Sequence, residues 1–206
     1  MQTSKHRILT FYMFVSAILV LSGCRSMSEH VPGDDNKMNG SFEIVKNNLP
    51  VNWRFYTSKT VQGGDFDIII DSLTYKEGKQ SLKFLIRNCD NLGGWHSPGF
   101  FSDFNASPDE TYKVSFWVKN QGSSFQVTIE STEQGKLEFS RKDTIIKTGE
   151  SILEWKYVEH LFKVPHQLQV LRFEANIFTP GSIWFDDIQI MGTDKDKGDR
   201  TLRIWK

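Results

Sequence analysis

Gly181-Ser-Ile-Trp-Phe-Asp-Asp-Ile-Gln-Ile190 is the stretch that decides the fold. Its apolar residues alternate, as those of a half-buried strand do. Ile183 and Phe185 fall on one parity, Ile188 and Ile190 on the other. The phase slips at Asp186-Asp187, and one extra residue in a strand, a β-bulge, produces such a slip. Two carboxylates at a bulge beside a core strand are costly unless their charge is offset. A bound cation offsets it, and oxygen-only ligands suit a hard ion such as calcium. A further carboxylate lies far upstream, in Asn39-Gly-Ser-Phe-Glu43. The expectation is that the first and last strands meet there across a metal. The alternative is that Asp186 and Asp187 are solvated acids at a turn edge.

Outward from that strand, the same alternation recurs. In residues 170–177, Leu171, Phe173, Ala175 and Ile177 share a face, which sets Arg172, Glu174 and Asn176 on the other. Tyr112, Val114, Phe116 and Val118 oppose Lys113, Ser115, Trp117 and Lys119. Phe125, Val127 and Ile129 alternate with Gln126, Thr128 and Glu130, and Leu82, Phe84 and Ile86 with Lys83, Leu85 and Arg87. Shorter strands are expected at residues 41–45, 53–57, 67–72 and 99–104, and a longer one at 155–164. Residues 131–152 form a polar hairpin excursion with strands near 137–139 and 144–146. Ten to twelve short strands separated by regular turns predict an all-β, two-sheet sandwich, and long Greek-key connections favour a jelly roll.

Bulk properties agree. The 206 residues suffice for one good-sized domain. Sixteen Phe, six Trp and five Tyr provide the aromatic enrichment that strands favour. Lys and Arg together number 25, as do Asp and Glu, so no basic excess points to nucleic acid.

The N-terminus reads as a targeting segment. Lys5, His6 and Arg7 precede a mostly apolar run over residues 8–21, short for a membrane span and suited to a signal-peptide core. The run ends in Leu21-Ser22-Gly23-Cys24, which resembles the lipobox of bacterial lipoproteins. That resemblance implies cleavage after residue 23 and acyl chains on Cys24, holding the protein to a membrane of the cell envelope, the outer membrane first. The alternative is an uncleaved anchor. The mature chain would keep 23 bases against 25 acids, a net charge of −2. Residues 24–38 then form a polar tether, 39–191 the folded domain and 192–206 a charged tail, in which residues 202–205 pack back as an edge. With Cys24 modified, Cys89 has no disulfide partner in the chain and reads as a small packed residue.

Six pieces in order carry a wider resemblance: Asn39-Gly-Ser-Phe-Glu43, Pro50-Val-Asn-Trp53, Gly78-Lys-Gln-Ser-Leu82, Tyr112-Lys-Val-Ser-Phe-Trp-Val118, Trp155 with Tyr157 and Phe162, and Ile183-Trp-Phe-Asp-Asp-Ile188. Together they resemble carbohydrate-binding modules of families four, nine and twenty-two, within the galactose-binding-like jelly rolls. The resemblance covers residues 38–191. It implies a structural calcium held by Glu43 and Asp186, with backbone carbonyls at Gly78 and Lys79 as further donors. Such an ion would add stability and no chemistry.

The resemblance also implies a glycan cleft flanked by Arg87, at a strand end, and Trp95, in the following loop. A sugar ring presents an apolar face to an aromatic plane and a rim of hydroxyls to polar side chains. Trp95 lies among Gly93, Gly94 and Pro98, where it either stacks on a sugar or folds over the sandwich edge. Arg87 either contacts the ligand or joins a surface ion pair. Glu174, Asn176 and Arg172 share the outer face of a strand expected to line the cleft, with Gln126 and Glu130 as weaker candidates. His96 reads as a loop hydrogen-bonder, and Trp53, Trp117, Trp155 and Trp184 as structural. The expected partner is a polysaccharide or oligosaccharide, with glycan-degrading enzymes as possible associates. Two other classes stay open: a small glycoside hydrolase or esterase using Glu130 and Glu174, and a structural or adhesion lipoprotein.

Overall fold

The computed structural model describes residues 38–133 and 141–193. The targeting segment, Cys24 and nearly all of the tether therefore lie outside the described residues, as do the strand near 137–139 and the edge at 202–205. Twelve strands are described: β1 (Val45–Lys46), β2 (Leu49–Pro50), β3 (Arg54–Tyr56), β4 (Asp65–Asp71), β5 (Ser81–Asn88), β6 (Gly99–Asn105), β7 (Thr111–Gln121), β8 (Phe125–Thr132), β9 (Arg141–Thr148), β10 (Ile152–Lys163), β11 (Val170–Ile177) and β12 (Gly181–Gly192). Besides the β1-β2 pair, they form two five-stranded antiparallel sheets, ordered β10-β7-β12-β5-β4 and β3-β6-β11-β8-β9. This is the all-β jelly-roll sandwich that the alternation predicts.

The inward parities fill one core. Leu82 and Phe84 of β5, Phe116 of β7, Phe173 of β11 and Phe185 of β12 are all fully buried. Phe100 of β6 sits at the centre, with ring centroids 5.1 Å from Phe185, 5.3 Å from Trp53 and 5.9 Å from Phe84. Edge-on and offset geometries of this kind add about 0.5–1.5 kcal/mol per pair beyond area burial.

The bulge is present in β12. Asp186 pairs with Trp117, then the register slips and resumes at Gln189 opposite Ser115. Asp187 takes a φ of 46° to make the step. The Ile188 N–H beyond the bulge donates to the Gly40 carbonyl at 3.0 Å, so the start of the domain docks on its last strand. A Cβ on Gly40 would run into the Ile188 carbonyl, which is why this position has no side chain.

The strand expected at residues 41–45 is reduced to Val45–Lys46. Asn39 is the reason. Its side-chain oxygen accepts from the Ile44 N–H at 3.0 Å, and its amide donates to the carbonyls of Ile44 and Val51 at 2.8 and 3.0 Å. One side chain thus satisfies backbone groups that a strand partner would otherwise take. The resulting turn, with φ of 57° at Phe42, drives that ring into the core. Met38, placed in the tether by sequence, is also buried there.

Candidate functional site

The outer face of the β3-β6-β11-β8-β9 sheet is polar yet largely withdrawn from solvent. Glu174 and Asn176 of β11 are 6% and 8% exposed, and Thr128 and Glu130 of β8 are each 3% exposed. Side chains that point outward yet are this buried are covered by their neighbours, which makes this face a candidate recess. Register places Asn176 beside Gln126, Glu174 beside Thr128, and Arg172 beside Glu130. On the other flank, Asn176 faces Gly99, Glu174 faces Phe101, and Arg172 faces Asp103. Antiparallel partners share a face, so these side chains line one surface.

Partners within the protein hold the side chains in place. Arg172 makes a two-pronged pair with Asp103 (Nε to Oδ1 2.6 Å, Nη2 to Oδ2 2.9 Å). Its guanidinium also lies 4.5 Å from the centre of the Phe101 ring, and that ring stacks on Tyr56 at 5.2 Å. The Tyr56 hydroxyl donates to Glu174 Oε1 at 2.9 Å. Burial and the nearby charge of Glu130 push the Glu174 carboxyl above its usual range, while the Tyr56 hydrogen bond opposes them. Burial, with the Glu174 charge beside it, raises the Tyr56 hydroxyl too. Glu130 is engaged by the Lys142 ammonium of β9 and accepts from the Thr128 hydroxyl at 3.1 Å.

Trp95 lies at one end of the recess. A 3-10 turn at Gly94–His96 carries it, in the loop between β5 and β6. The Asn176 amide donates to the Gly94 carbonyl at 3.2 Å, tying this loop to the outer face of β11. Trp95 remains 58% exposed, with its ring against His96. An exposed indole beside buried amides and carboxylates can offer a flat apolar platform next to hydroxyl-binding groups.

Elsewhere, Glu43 and Asp186 converge on one loop, residues 76–80. Asp186 is fully buried, and its Oδ2 accepts from the N–H groups of Lys76 and Glu77 at 2.7 and 2.9 Å. Its Oδ1 accepts from the Asp187 N–H at 2.8 Å. Glu43 Oε1 accepts from the N–H groups of Lys79 and Gln80 at 2.8 and 3.2 Å. Gly78, between these donors, has a φ of 69°, and a Cβ there would strike the Glu43 carboxylate.

A family model described as a carbohydrate binding domain matches residues 35–181. The chain belongs to that family. Among curated proteins, this carbohydrate-binding domain is 25% identical over 171 residues to alpha-L-arabinofuranosidase 1 of Arabidopsis thaliana, covering 78% of the chain and 24% of the plant protein. The chain thus spans about a quarter of that relative's length. Among solved structures, a family 4 carbohydrate-binding module aligns with a TM-score of 0.52 at 15% identity, covering 75% of this chain and 98% of the module. The C-terminal family 22 module of a Clostridium thermocellum xylanase aligns with a TM-score of 0.51 at 15% identity, covering 75% and 95%. An enzymatically active domain of a bacteriophage tailspike aligns with a TM-score of 0.55 at 14% identity, covering 75% and 21%. At these identities the structural likenesses establish the fold of the domain.

Of the residues singled out by sequence, the carbohydrate-binding domain brings Trp95, Glu174, Asn176, Arg172 and Gln126 to one recess. Arg87 is not brought there. It lies on β5, in the opposite sheet, with the outward parity of Lys83 and Leu85. Its guanidinium is held by Asp65 (2.6 and 2.8 Å) and Asp67 (2.7 Å) of β4. The expectation that Arg87 flanks the cleft is therefore corrected. Sheets of a sandwich lie about 10 Å apart, and Arg87 points away from the far one. Sequence reasoning also passed over Tyr56, Phe101 and Lys142. The alternation of Arg54 and Tyr56 around inward Phe55 was the available signal for the first.

For the expected calcium, both acids are oxygen donors aimed at one loop. Burial holds the Asp186 carboxyl up at about 6, although three backbone N–H groups lower it. Asp186 Oδ2 and Glu43 Oε1 are each already met by two backbone N–H groups, so a hard cation would have to use the lone pairs these donors leave. Lys79, however, meets Glu43 through its amide N–H, not its carbonyl. Among the described residues no group of three or more His, Cys, Asp or Glu is gathered for a metal, so backbone oxygens would complete any shell.

Cys89 is a free thiol packed partly against the core, and burial raises it to about 11. A thiol so far from ionising at neutral pH is a poor nucleophile. Trp184 is buried under Lys83 and Lys119, with its Nε1–H donating to Asp71 at 2.8 Å, which is a structural role.

Proposed function

We propose that this domain holds a glycan in the recess on the β3-β6-β11-β8-β9 sheet, without cleaving it. The observation that carries the proposal is the hydrogen bond from Asn176 to the Gly94 carbonyl, which ties the loop of exposed Trp95 to the face that holds Glu174, Gln126 and Arg172. Sugar stacks on the indole, and the planar amides and carboxylate take its hydroxyls. A solved relative of the same fold is described as a xylan-binding domain, and an alignment with it covers 73% of this chain. That makes xylan a first probe. One stacked ring and a few hydrogen bonds at about 1 kcal/mol each correspond to micromolar to millimolar affinity.

The proposal extends to the chain's context. Lipid on Cys24 anchors the domain to the bacterial cell envelope, on the outer membrane, with residues 24–37 as tether. Its polysaccharide is shared there with glycan-degrading enzymes. A calcium ion held by Glu43 and Asp186, with backbone oxygens of the 76–80 loop, ties the chain start to β12.

Affinity electrophoresis through gels containing xylan, mixed-linkage β-glucan or polygalacturonate tests the binding. Retention of the wild-type protein on at least one polymer, lost in Trp95→Ala with an unchanged Tm, is expected. Retention on none, or undiminished retention of Trp95→Ala, would overturn the proposal. Release of reducing ends from the retained polymer would move it to the hydrolase class, with Glu130 and Glu174 as its acids.

A further inference from the structure

Charge is distributed unevenly with depth in the recess. Its acids are withdrawn: Glu130 and Glu174 are nearly buried, and Asp103 is covered by Arg172. The cations stand at the margins. Lys142 is paired with Glu130 yet has a side chain 51% exposed, and Arg54 on β3, 3.5 Å from Asp103, has a side chain 64% exposed. Lys147 is exposed on β9, opposite Gln126 and therefore on the same face. Over these strands, four cations (Arg54, Lys142, Lys147, Arg172) stand against three acids (Asp103, Glu130, Glu174). Asp90, exposed in the Trp95 loop, is an acid at the far end, and exposed Glu150 follows β9 there.

A ligand lying along the recess meets the exposed cations before the sunken acids. Coulomb attraction to a charged substituent is felt over a Debye length of roughly 8–10 Å at moderate salt. Lysine is a flexible point charge that suits a carboxylate or sulfate held away from the sugar ring. We propose that the margin formed by Lys142, Lys147 and Arg54 selects glycans bearing acidic substituents, uronate carboxylates or sulfate esters, over neutral ones. This rests on the recess being the glycan site.

The test is retention in affinity gels on matched pairs: glucuronoxylan against the same polymer after carboxyl reduction, and a sulfated galactan against its desulfated form. The expected result is about tenfold stronger retention on one acidic polymer than on its neutral partner at low salt, shrinking toward parity in ~0.5 M NaCl. The polymer that shows it separates carboxylate from sulfate recognition. Lys147→Gln should reduce the preference several-fold and leave retention on the neutral polymer intact. Lys142→Ala leaves Glu130 without its cation, so Lys147→Gln and Arg54→Gln guard against a folding defect. Lys119→Gln, on the opposite sheet, serves as the control for diffuse attraction. Equal retention on acidic and neutral partners would overturn the acidic selection and leave the glycan site standing. An equal loss of preference in Lys119→Gln would also overturn it. Retention on no polymer would overturn the site itself.

Discussion

The two outer faces of the sandwich follow the same alternation and end up unlike one another. On the β3-β6-β11-β8-β9 face, outward Glu130 and Glu174 are nearly as buried as the core, and Tyr56, Lys142 and Arg172 hold the carboxylates and ring planes in place. On the β10-β7-β12-β5-β4 face, outward Arg87 sits in exposed ion pairs, and lysine ammonium groups lie over Trp184 and Trp117. Period-two patterning separates in from out, but it does not say which outside becomes a recess. That depends on what borders the sheet, and here the Trp95 loop is tied to the outer face of β11.

The comparison can be broken at several levels. The largest effect should come from the core that both faces share. Phe100→Ala removes a ring with five aromatic neighbours besides its own strand partner Phe55, and should cost about 3–5 kcal/mol in urea unfolding. A cost below about 1 kcal/mol would mean that the centre lies elsewhere. Chelation comes next, since it acts where the chain start meets β12. With ion at ~100 times its Kd, binding adds ~2.7 kcal/mol, and a domain of this size shifts about 2–4 °C per kcal/mol. A chelator should lower Tm by about 5–10 °C, and an unchanged Tm would remove calcium from the account.

A smaller effect separates the faces by charge. The Glu174 carboxyl has a raised pKa in the fold, so its contribution to stability is present below the unfolded-state pKa and is lost as pH rises through the folded value. At neutral pH, Glu174→Gln should therefore be at least as stable as wild type, with the difference shrinking as pH falls toward 4 while glycan retention weakens throughout. A Gln variant that is less stable at pH 7 than at pH 4, relative to wild type, would contradict this. The smallest effect belongs to the opposite face. Arg87→Ala breaks two exposed ion pairs, and both Tm and glycan retention should stay within error of wild type. Lost retention would return Arg87 to the site.

Much of this was legible in the chain. The strict alternation of residues 170–177 set Arg172, Glu174 and Asn176 on one outer face, and the phase slip at Asp186-Asp187 located the bulge. Other parts were not. Arg87 has the right order and spacing for a cleft residue, yet parity within β5 and the sheet that β5 joins send it to the far side, and sheet membership is not written in local sequence. Tyr56 belongs to a three-residue strand, whose single alternation around Phe55 is too brief to stand out from a turn. Lys142 lies opposite Glu130 by the β8-β9 register, which local sequence does not state. Residues 41–45 read as a strand, but the Asn39 side chain takes the backbone groups of Ile44 that a ladder would use.

The most direct measurement is a crystal structure of the protein soaked with xylohexaose, or with the hexasaccharide of whichever polymer retains it most strongly. The account predicts a sugar ring on the Trp95 indole, with hydroxyls on Asn176 and Glu174. Oligosaccharide bound instead across β5 and β12, on the side of Arg87 and Trp184, would contradict it.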